Sequence, residues 1–347
     1  MAGKAAEDAA ITEIAEGDSP VSVQLYTAYS SNLRKAVGAV FGNADNGLAD
    51  RFRANVNRFA AYKAWHATAQ VREALDESGG DTGVARGILH RFNRWQAAEY
   101  NTAVARSRTA KQWQQWDNDD DRRLFPNIVW LPSRSATPRE EHMAFWNRVW
   151  PKDDPFWNSN QPGNLWNCKC DWEQTDEPAT DGNPTATIRH NGLEGNPAVT
   201  GEIFTDNCNY VKKANGHSEV HAFYRDLMVE GAKTIEKKID TPIDGRQQEV
   251  IVNKIGITES VQKDFGSADY WLRNELLEHI EVWLPKASYI APEPIDLTHN
   301  SGKTLKLKKK MERAHKLRFD LGDKVFSITI FEYKGTGKLL FYCIELL

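Results

Sequence analysis

Residues Thr137 to Asp171 read TPREEHMAFWNRVWPKDDPFWNSNQPGNLWNCKCD. The stretch opens with helix-start chemistry. Thr137 suits an N-cap, Pro138 the first helical position, and Glu140 lies three residues after the threonine. His142, Phe145, Trp146 and Val149 then fall at i, i+3, i+4 and i+7, which predicts one apolar helical face closed by Pro151. Loop chemistry follows in Asp153-Asp154-Pro155-Phe156-Trp157, Gln161-Pro162-Gly163-Asn164 and Trp166-Asn167-Cys168-Lys169-Cys170. Four tryptophans and a Cys-x-Cys in so short a span point to aromatic anchors that hold an irregular chain in shape.

Upstream, Met1 to Pro20 is rich in Ala, Glu and Asp and is expected to be a mobile tail. Val21 to Phe41 reads as a helix. Arg51 to Leu75 reads as a long amphipathic helix with Phe52, Val56, Phe59, His66, Val71 and Leu75 inward. Val84 to Trp116 reads as a second, marked by Ile88, Phe92, Trp95 and Trp113. The acidic run Asp117 to Asp121 lacks the glycine and distal glutamate of an EF-hand loop and reads as a solvated turn. Asn127 to Leu131 is a short strand, and Thr175 to Pro197 a polar excursion.

Downstream, residues 213 to 255 read as a helical linker and 256 to 347 as a small α+β unit. In that unit the helical pattern Tyr270 to Trp283 and an extended segment to Pro294 precede three strands, Lys316 to Leu321, Val325 to Tyr333 and Leu339 to Leu346. Gly322-Asp323 and Lys334 to Gly337 are the turns. The fold class is therefore α+β, with a mainly α-helical N-terminal half, an irregular Trp/Cys loop, and a C-terminal helix plus antiparallel β-meander.

The chain has 347 residues, 40% of them hydrophobic, 12 Trp, 14 Phe and a net charge of −4. That length suits two or three domains, and the charge argues against a protein that coats nucleic acid throughout. The four cysteines, 168, 170, 208 and 343, are too few and uneven for a disulfide framework and fit a reducing compartment. The start of the chain lacks the basic and apolar regions of a signal peptide, and no apolar run is long enough to predict a membrane span.

The central stretch resembles the Mu F-like family of phage minor head proteins, the phage head morphogenesis domain. The residues that carry the likeness are Arg139, His142, Asp153 to Trp157, Pro162, Asn164, Trp166, Asn167, Cys168 and Cys170. The helix Glu99-Tyr100-Asn101-Thr102-Ala103-Val104 and the segment Thr200-Gly201-Glu202-Ile203-Phe204 extend it to roughly residues 50 to 212, within a head-type module expected over residues 21 to 212. Two positions depart from the family pattern. Ser133 or Ser135 stands where an Asp is usual, and Cys208-Asn209-Tyr210 where His-Pro-Tyr is usual. The resemblance implies a virion or bacterial cytoplasmic location and portal or capsid proteins as partners.

His142, Cys168 and Cys170 are candidate metal ligands, since two thiolates and an imidazole suit a structural zinc. Cys-x-Cys is a tight spacing that brings both sulfurs to one face only if the backbone is extended, and a fourth ligand would have to come from Cys208, an Asp or another His. The alternative reading is two small buried cysteines and a hydrogen-bonded core histidine.

Between Lys303 and Arg318 lie eight basic residues, Lys303, Lys306, Lys308, Lys309, Lys310, Arg313, Lys316 and Arg318, against Glu312 alone, a local charge of +7 (8 − 1). Such a focus can hold a polyanion. Arg318, Ser327, Thr329, Glu332, Tyr333 and Tyr342 are polar side chains that a sheet there could turn to a cleft. Helix then meander, with Tyr289, the cluster His315 to Arg318 and the last strand, resembles the barnase–EndoU–colicin–RelE-like nucleases. That resemblance implies metal-independent cleavage of RNA, with tRNA among the candidate targets, no cofactor for catalysis and an immunity protein as a further partner. His315 would serve as base or acid, since an imidazole exchanges protons near neutral pH. Lys316 and Arg318 would hold the phosphate, and Thr329 and Tyr342 would orient it. A solvated basic loop, or nucleic-acid binding without cleavage, explains the same charge. His279 is expected to pack or lie on the surface, His299 is a second catalytic candidate, and His217 and His221 are expected to be surface histidines.

Overall fold

The computed structural model describes residues 4–42, 46–182, 188–214, 218–263, 265–267, 269–298 and 302–347. The chain divides into two compact units, Met1–His217 and Ser218–Leu347.

The first unit begins with helices α1 (Lys4–Glu16), α2 (Val23–Phe41), α3 (Gly47–Glu77), α4 (Thr82–Asn93) and α5 (Gln96–Trp116). α3 is central and packs against α1, α2 and α4. Its buried face carries Ala54, Ala60, Ala61, Ala64 and Ala67 between Phe52, Val56, Phe59 and Val71. Alanine is the best helix former, and its small side chain lets neighbouring backbones approach. The segment expected to be a mobile tail is α1, with Ala10, Ile11 and Ile14 buried. It is ordered partly because Glu13 caps α2, accepting hydrogen bonds from the Val23 and Gln24 amides at 2.7 and 3.1 Å. The expected single helix from Val84 to Trp116 is broken at Arg94-Trp95, and Trp95 is half exposed rather than inward. The acidic run is not only a turn. Asn118 caps a short helix α6 (Asp119–Leu124) through the Asp121 amide.

The central stretch then differs from its reading. The helix is a single turn, α7 (Glu140–Met143), and no side chain caps it. Val149 belongs to a strand instead. β1 (Asn127–Leu131) is flanked by β2 (Val149–Pro151) and β3 (Asp171–Thr175), all antiparallel. The Asn147 amide donates to Trp130 O at 2.8 Å and its φ is 59°, so strand pairing captures the chain before a second helical turn can form. Local capping chemistry loses here to tertiary hydrogen bonding. Around this small sheet Trp130, Trp150, Trp157, Trp172 and Phe145 form a buried aromatic core. Trp150 stacks on Phe156 at 4.1 Å, and Trp113 on Trp172 at 5.8 Å. Short helices α8 (Pro197–Thr200) and α9 (Asn209–Ala214) complete the unit.

One face of α5 holds the irregular chain. Thr102 Oγ1 accepts from the Asn167 amide at 2.9 Å, Thr109 donates to Pro162 O at 3.0 Å, and Gln112 accepts from the Trp172 indole at 3.0 Å. Between them lies Arg106, fully buried. It donates to Asn164 Oδ1, to Leu193 O at 2.8 Å, and to the carbonyls of Glu194, Gly195 and Glu202 at 3.2, 3.4 and 3.2 Å. Burial holds its pKa down to about 10, still charged at neutral pH. Gly163, at φ +100°, passes so close that a Cβ there would lie 3.2 Å from Arg106 Cγ.

The second unit contains α10 (Ser218–Gly231), β4 (Glu236–Ile243), β5 (Arg246–Asn253), α11 (Lys254–Ser260), α12 (Tyr270–Glu278), α13 (Ile280–Trp283), β6 (Ser288–Pro294), α14 (Gly302–Lys308), β7 (Met311–Leu321), β8 (Lys324–Tyr333) and β9 (Leu339–Leu346). The sheet order is β4-β5-β9-β8-β7-β6. All pairs are antiparallel except β5 with β9. The expected meander is present, but the expected helical linker is a helix followed by a hairpin that extends the sheet. Asp244 and Gly245, at φ 51° and 72°, supply its turn. α11 lies on β9 so closely that a Cβ on Gly256 would fall 2.2 Å from Phe341 O. No helix among the described residues is long and apolar enough to cross a membrane.

Two consequences can be measured in the first unit. Lys63 and Glu99 form a buried ion pair at 2.6 Å, with Lys63 fully enclosed. Burial pushes the lysine pKa down and the glutamate pKa up, against their mutual attraction. Glu99→Ala strands a buried ammonium and is expected to cost about 3–5 kcal/mol in urea unfolding, whereas adding Lys63→Met should restore most of that loss. Arg106→Lys keeps the charge but cannot reach five oxygens. Each abandoned carbonyl costs about 1–3 kcal/mol, so the variant should unfold at lower urea and be cut by protease between residues 160 and 205 while α2 and α3 stay protected.

Candidate functional site

The loop fixed by Arg106 delivers Cys168 and Cys170 to His142. The Cys168 amide bonds Leu165 O at 3.1 Å, and the Arg134 amide bonds Lys169 O at 3.1 Å, which pins the two residues flanking the lysine. The Cys170 amide donates to Cys168 Sγ at 3.4 Å, so the chain curls and both sulfurs converge. His142 Nδ1 lies 3.3 Å from Cys168 Sγ and 3.7 Å from Cys170 Sγ. All three residues are buried, and the cysteines are free thiols. The Cys168 thiol, by hydrogen-bonding to Cys170, holds the Cys170 thiol below the usual range, with His142 and the Trp130 indole acting in the same sense. Cys168 is pushed up in return. The expected extra ligand Cys208 is elsewhere. Its thiol meets Gly192 O at 3.3 Å, and the donor atoms of His142, Cys168 and Cys170 gather without it; a second group, Glu275, Glu278 and His279, lies in the second unit.

A cavity of about 380 Å³ opens beside the two cysteines, lined by Ser133, Ser135, Thr137, Arg139 and Asn167. A larger one of about 660 Å³ lies on the other side of Arg139, between Phe59, Trp95, Trp166 and Tyr210.

In the second unit the sequence-level candidates do not share a face. Successive residues of a strand point to opposite sides. His315 faces the side of buried Leu317, Ile328 and Ile330, with which its strand pairs in register. Lys316 and Arg318 face the other side. Lys316 donates to Thr329 Oγ1 at 2.8 Å, and Arg318 pairs with Asp320 at 2.8 Å. Tyr342, the extra residue where β9 bulges, joins the Lys316 side by stacking on Phe331 at 4.1 Å, and its hydroxyl donates to Glu259 at 3.2 Å.

His315 has different companions. Its Nε2 is 3.0 Å from Glu332 Oε2, and its Nδ1 is 3.4 Å from the Tyr289 hydroxyl. Arg313 Nε reaches the same Glu332 oxygen at 2.9 Å. His315 is 7% exposed at its side chain, Glu332 18% and Arg313 47%, so the group grades from interior to solvent. Burial raises the Tyr289 pKa, and Asp244 at the β4–β5 turn adds to the rise. Arg313 was readable only as one of a basic run. Strand periodicity was the missing signal, because Arg313 and His315 are two residues apart and Lys316 is not.

The other histidines separate clearly. His221 is buried and stacks on Tyr270 at 5.2 Å, not on the surface, because the second unit's helices close over it. His279 is half-buried, 3.4 Å from Glu275. His217 and His299 lie outside the described residues.

No family model matches the chain, and no solved structure matches it. Among curated proteins it is similar to the Mu-like prophage FluMu F protein of Haemophilus influenzae, 27% identical over 157 residues. The match takes in 43% of this chain and 36% of that protein, so the chain spans about a third of the length of this relative.

Proposed function

We propose that this chain is a phage or prophage head protein of the Mu F type whose second unit is a metal-independent endoribonuclease carried with the particle. The similarity to a Mu-like prophage F protein supports the head assignment; in this reading portal or capsid proteins would be its partners. The nuclease reading rests on one observation, the Tyr289–His315–Glu332–Arg313 cluster on a single face of the sheet. Carboxylate, imidazole and guanidinium within hydrogen-bond reach of one another are what RNA transesterification needs. In this reading Glu332 takes the proton of a ribose 2'-hydroxyl, and the 2'-oxygen attacks phosphorus. Arg313 neutralises the phosphorane oxygens. Protonated His315 gives its proton to the departing 5'-oxygen, leaving a 2',3'-cyclic phosphate and a 5'-hydroxyl. Tyr289 holds the second ring nitrogen. The exposed lysines 303, 306, 309 and 310 would draw the RNA strand toward the sheet.

A second reading keeps the head role and makes the second unit a nucleic-acid-binding appendage. The exposed lysines alone favour it, and it predicts salt-sensitive binding with intact RNA.

The full chain, induced in bacteria from a tight promoter, is expected to arrest growth and yield RNA fragments with cyclic-phosphate ends. His315→Ala and Glu332→Gln should each lower cleavage by about 10²–10⁴-fold. Lys316→Ala and Arg318→Ala, on the opposite face, should change it far less. Intact RNA from soluble wild-type protein would leave the binding reading in its place.

A further inference from the structure

We propose that His142, Cys168 and Cys170 bind one zinc ion in the first unit, with a solvent molecule from the adjoining cavity as the fourth ligand. This site is independent of the nuclease reading.

Distance is the first argument. In a tetrahedral site with Zn–S near 2.3 Å and Zn–N near 2.05 Å, a nitrogen and a sulfur ligand stand about 3.6 Å apart. The observed separations from His142 Nδ1 are 3.3 and 3.7 Å, and all three donor atoms lie within 4.8 Å of one another. An ion can therefore be seated with movements of a few tenths of an ångström, with no change of fold.

The chemistry of the donors is the second. Two thiols and an imidazole are soft to borderline ligands that favour zinc over magnesium or calcium. A core that needed only small apolar filling would gain nothing from aiming three such groups at one point. Here the backbone does extra work to aim them. The chain curls so that the Cys170 amide meets Cys168 Sγ, and the contact of the Arg134 amide with Lys169 O fixes that curl.

The surroundings are the third. Trp130 is fully buried, and its indole N–H has no conventional acceptor. Its ring packs edge-on against His142, with ring centroids 5.0 Å apart. An N–H donor beside the ligand group can orient a ligating sulfur and temper its charge. Entry is also provided. The cavity of about 380 Å³ reaches Cys168 and Cys170 and is lined by the hydroxyls of Ser133, Ser135 and Thr137. Those hydroxyls can hold a water or hydroxide at the open position. Three protein ligands with a solvent-facing fourth site make this a metal centre that an incoming donor can reach, not a closed clamp.

The test uses the full chain grown in zinc-supplemented and in cobalt-supplemented medium. About one metal ion per chain is expected. The cobalt form should show thiolate-to-metal charge-transfer absorption in the near ultraviolet. Cys168→Ser and Cys170→Ser should each remove about half of that band, and His142→Ala should weaken metal retention by about 100-fold or more. Cys208→Ser, a buried cysteine outside the group, should leave content and spectrum unchanged. Should the ligand variants fail to fold, the wild-type protein still decides the matter. Alkylation of Cys168 and Cys170 should be blocked in the metal-loaded protein and released by a chelator, with Cys208 and Cys343 unaffected. Folded wild-type protein that stays metal-free after exposure to zinc, or a Cys168→Ser/Cys170→Ser protein that keeps its metal, would overturn the proposal.

Discussion

The first unit depends on one buried cation. Arg106 sits inside the protein and gives hydrogen bonds to five oxygens on three separate segments, at Asn164, Leu193 to Gly195, and Glu202. Those segments are neither helix nor sheet, so their carbonyls have no ladder to join. Left unpaired away from water, each would cost about 1–3 kcal/mol. A guanidinium solves the problem because its two terminal nitrogens present their N–H groups in a fixed plane, while its Nε–H has no acceptor among the described residues. Every other feature of the loop follows from that. With the carbonyls satisfied, the chain can pass through the interior, Trp157 and Trp172 can meet Trp113, and Cys168 and Cys170 can stand opposite His142.

How much of this was legible in the sequence depends on whether short-range or long-range forces decide a segment. Helix α3 was legible because its apolar residues recur with helical spacing over many turns. Strands β8 and β9 were legible because runs of β-branched, aromatic and other apolar residues lie on either side of the Gly-containing turn Lys334 to Gly337. The turn at Asp244-Gly245 carried its own signal, a residue pair suited to positive φ between two alternating runs, yet the surrounding charges read as helix. The run from Thr137 to Val149 was misleading. Its cap residues and spacing favour a helix, but the Asn147 amide finds Trp130 O, a partner that sequence cannot display. α1 was misread for a similar reason. Its composition is that of a solvated tail, and its order comes from burying three apolar residues and capping α2.

The candidate residues show the same division. His142, Cys168 and Cys170 were visible as a set because their chemistry is rare, and the fold brings them together. The cluster around His315 was visible only in part. Charge density pointed to the right strand, but density is blind to faces. Strand geometry puts Lys316 and Arg318 with Thr329 on one side and His315 with Glu332, Arg313 and Tyr289 on the other. A cluster of adjacent residues in a strand is two half-clusters back to back.

That same geometry explains what keeps His315 in place. Sliding β7 by one residue would exchange His315 for Lys316 against β8 and turn every apolar residue of the strand toward the wrong layer. The two-residue turn at Gly322-Asp323 fixes the near end of the pair, where Leu321 faces Lys324. At the far end the strand is bulged between Met311 and Arg313, and β8 and β9 are irregular between Thr329 and Ile330. The bulges bracket the cluster. They add local twist, and they let Arg313 and Glu332 lie opposite each other at the solvent edge while Leu317 and Ile328 remain in the core. Register is thus the constraint in the second unit that Arg106 is in the first. In one unit a cation organises an irregular loop around a soft-donor group. In the other a tight turn and two bulges set the His315 cluster along a regular sheet.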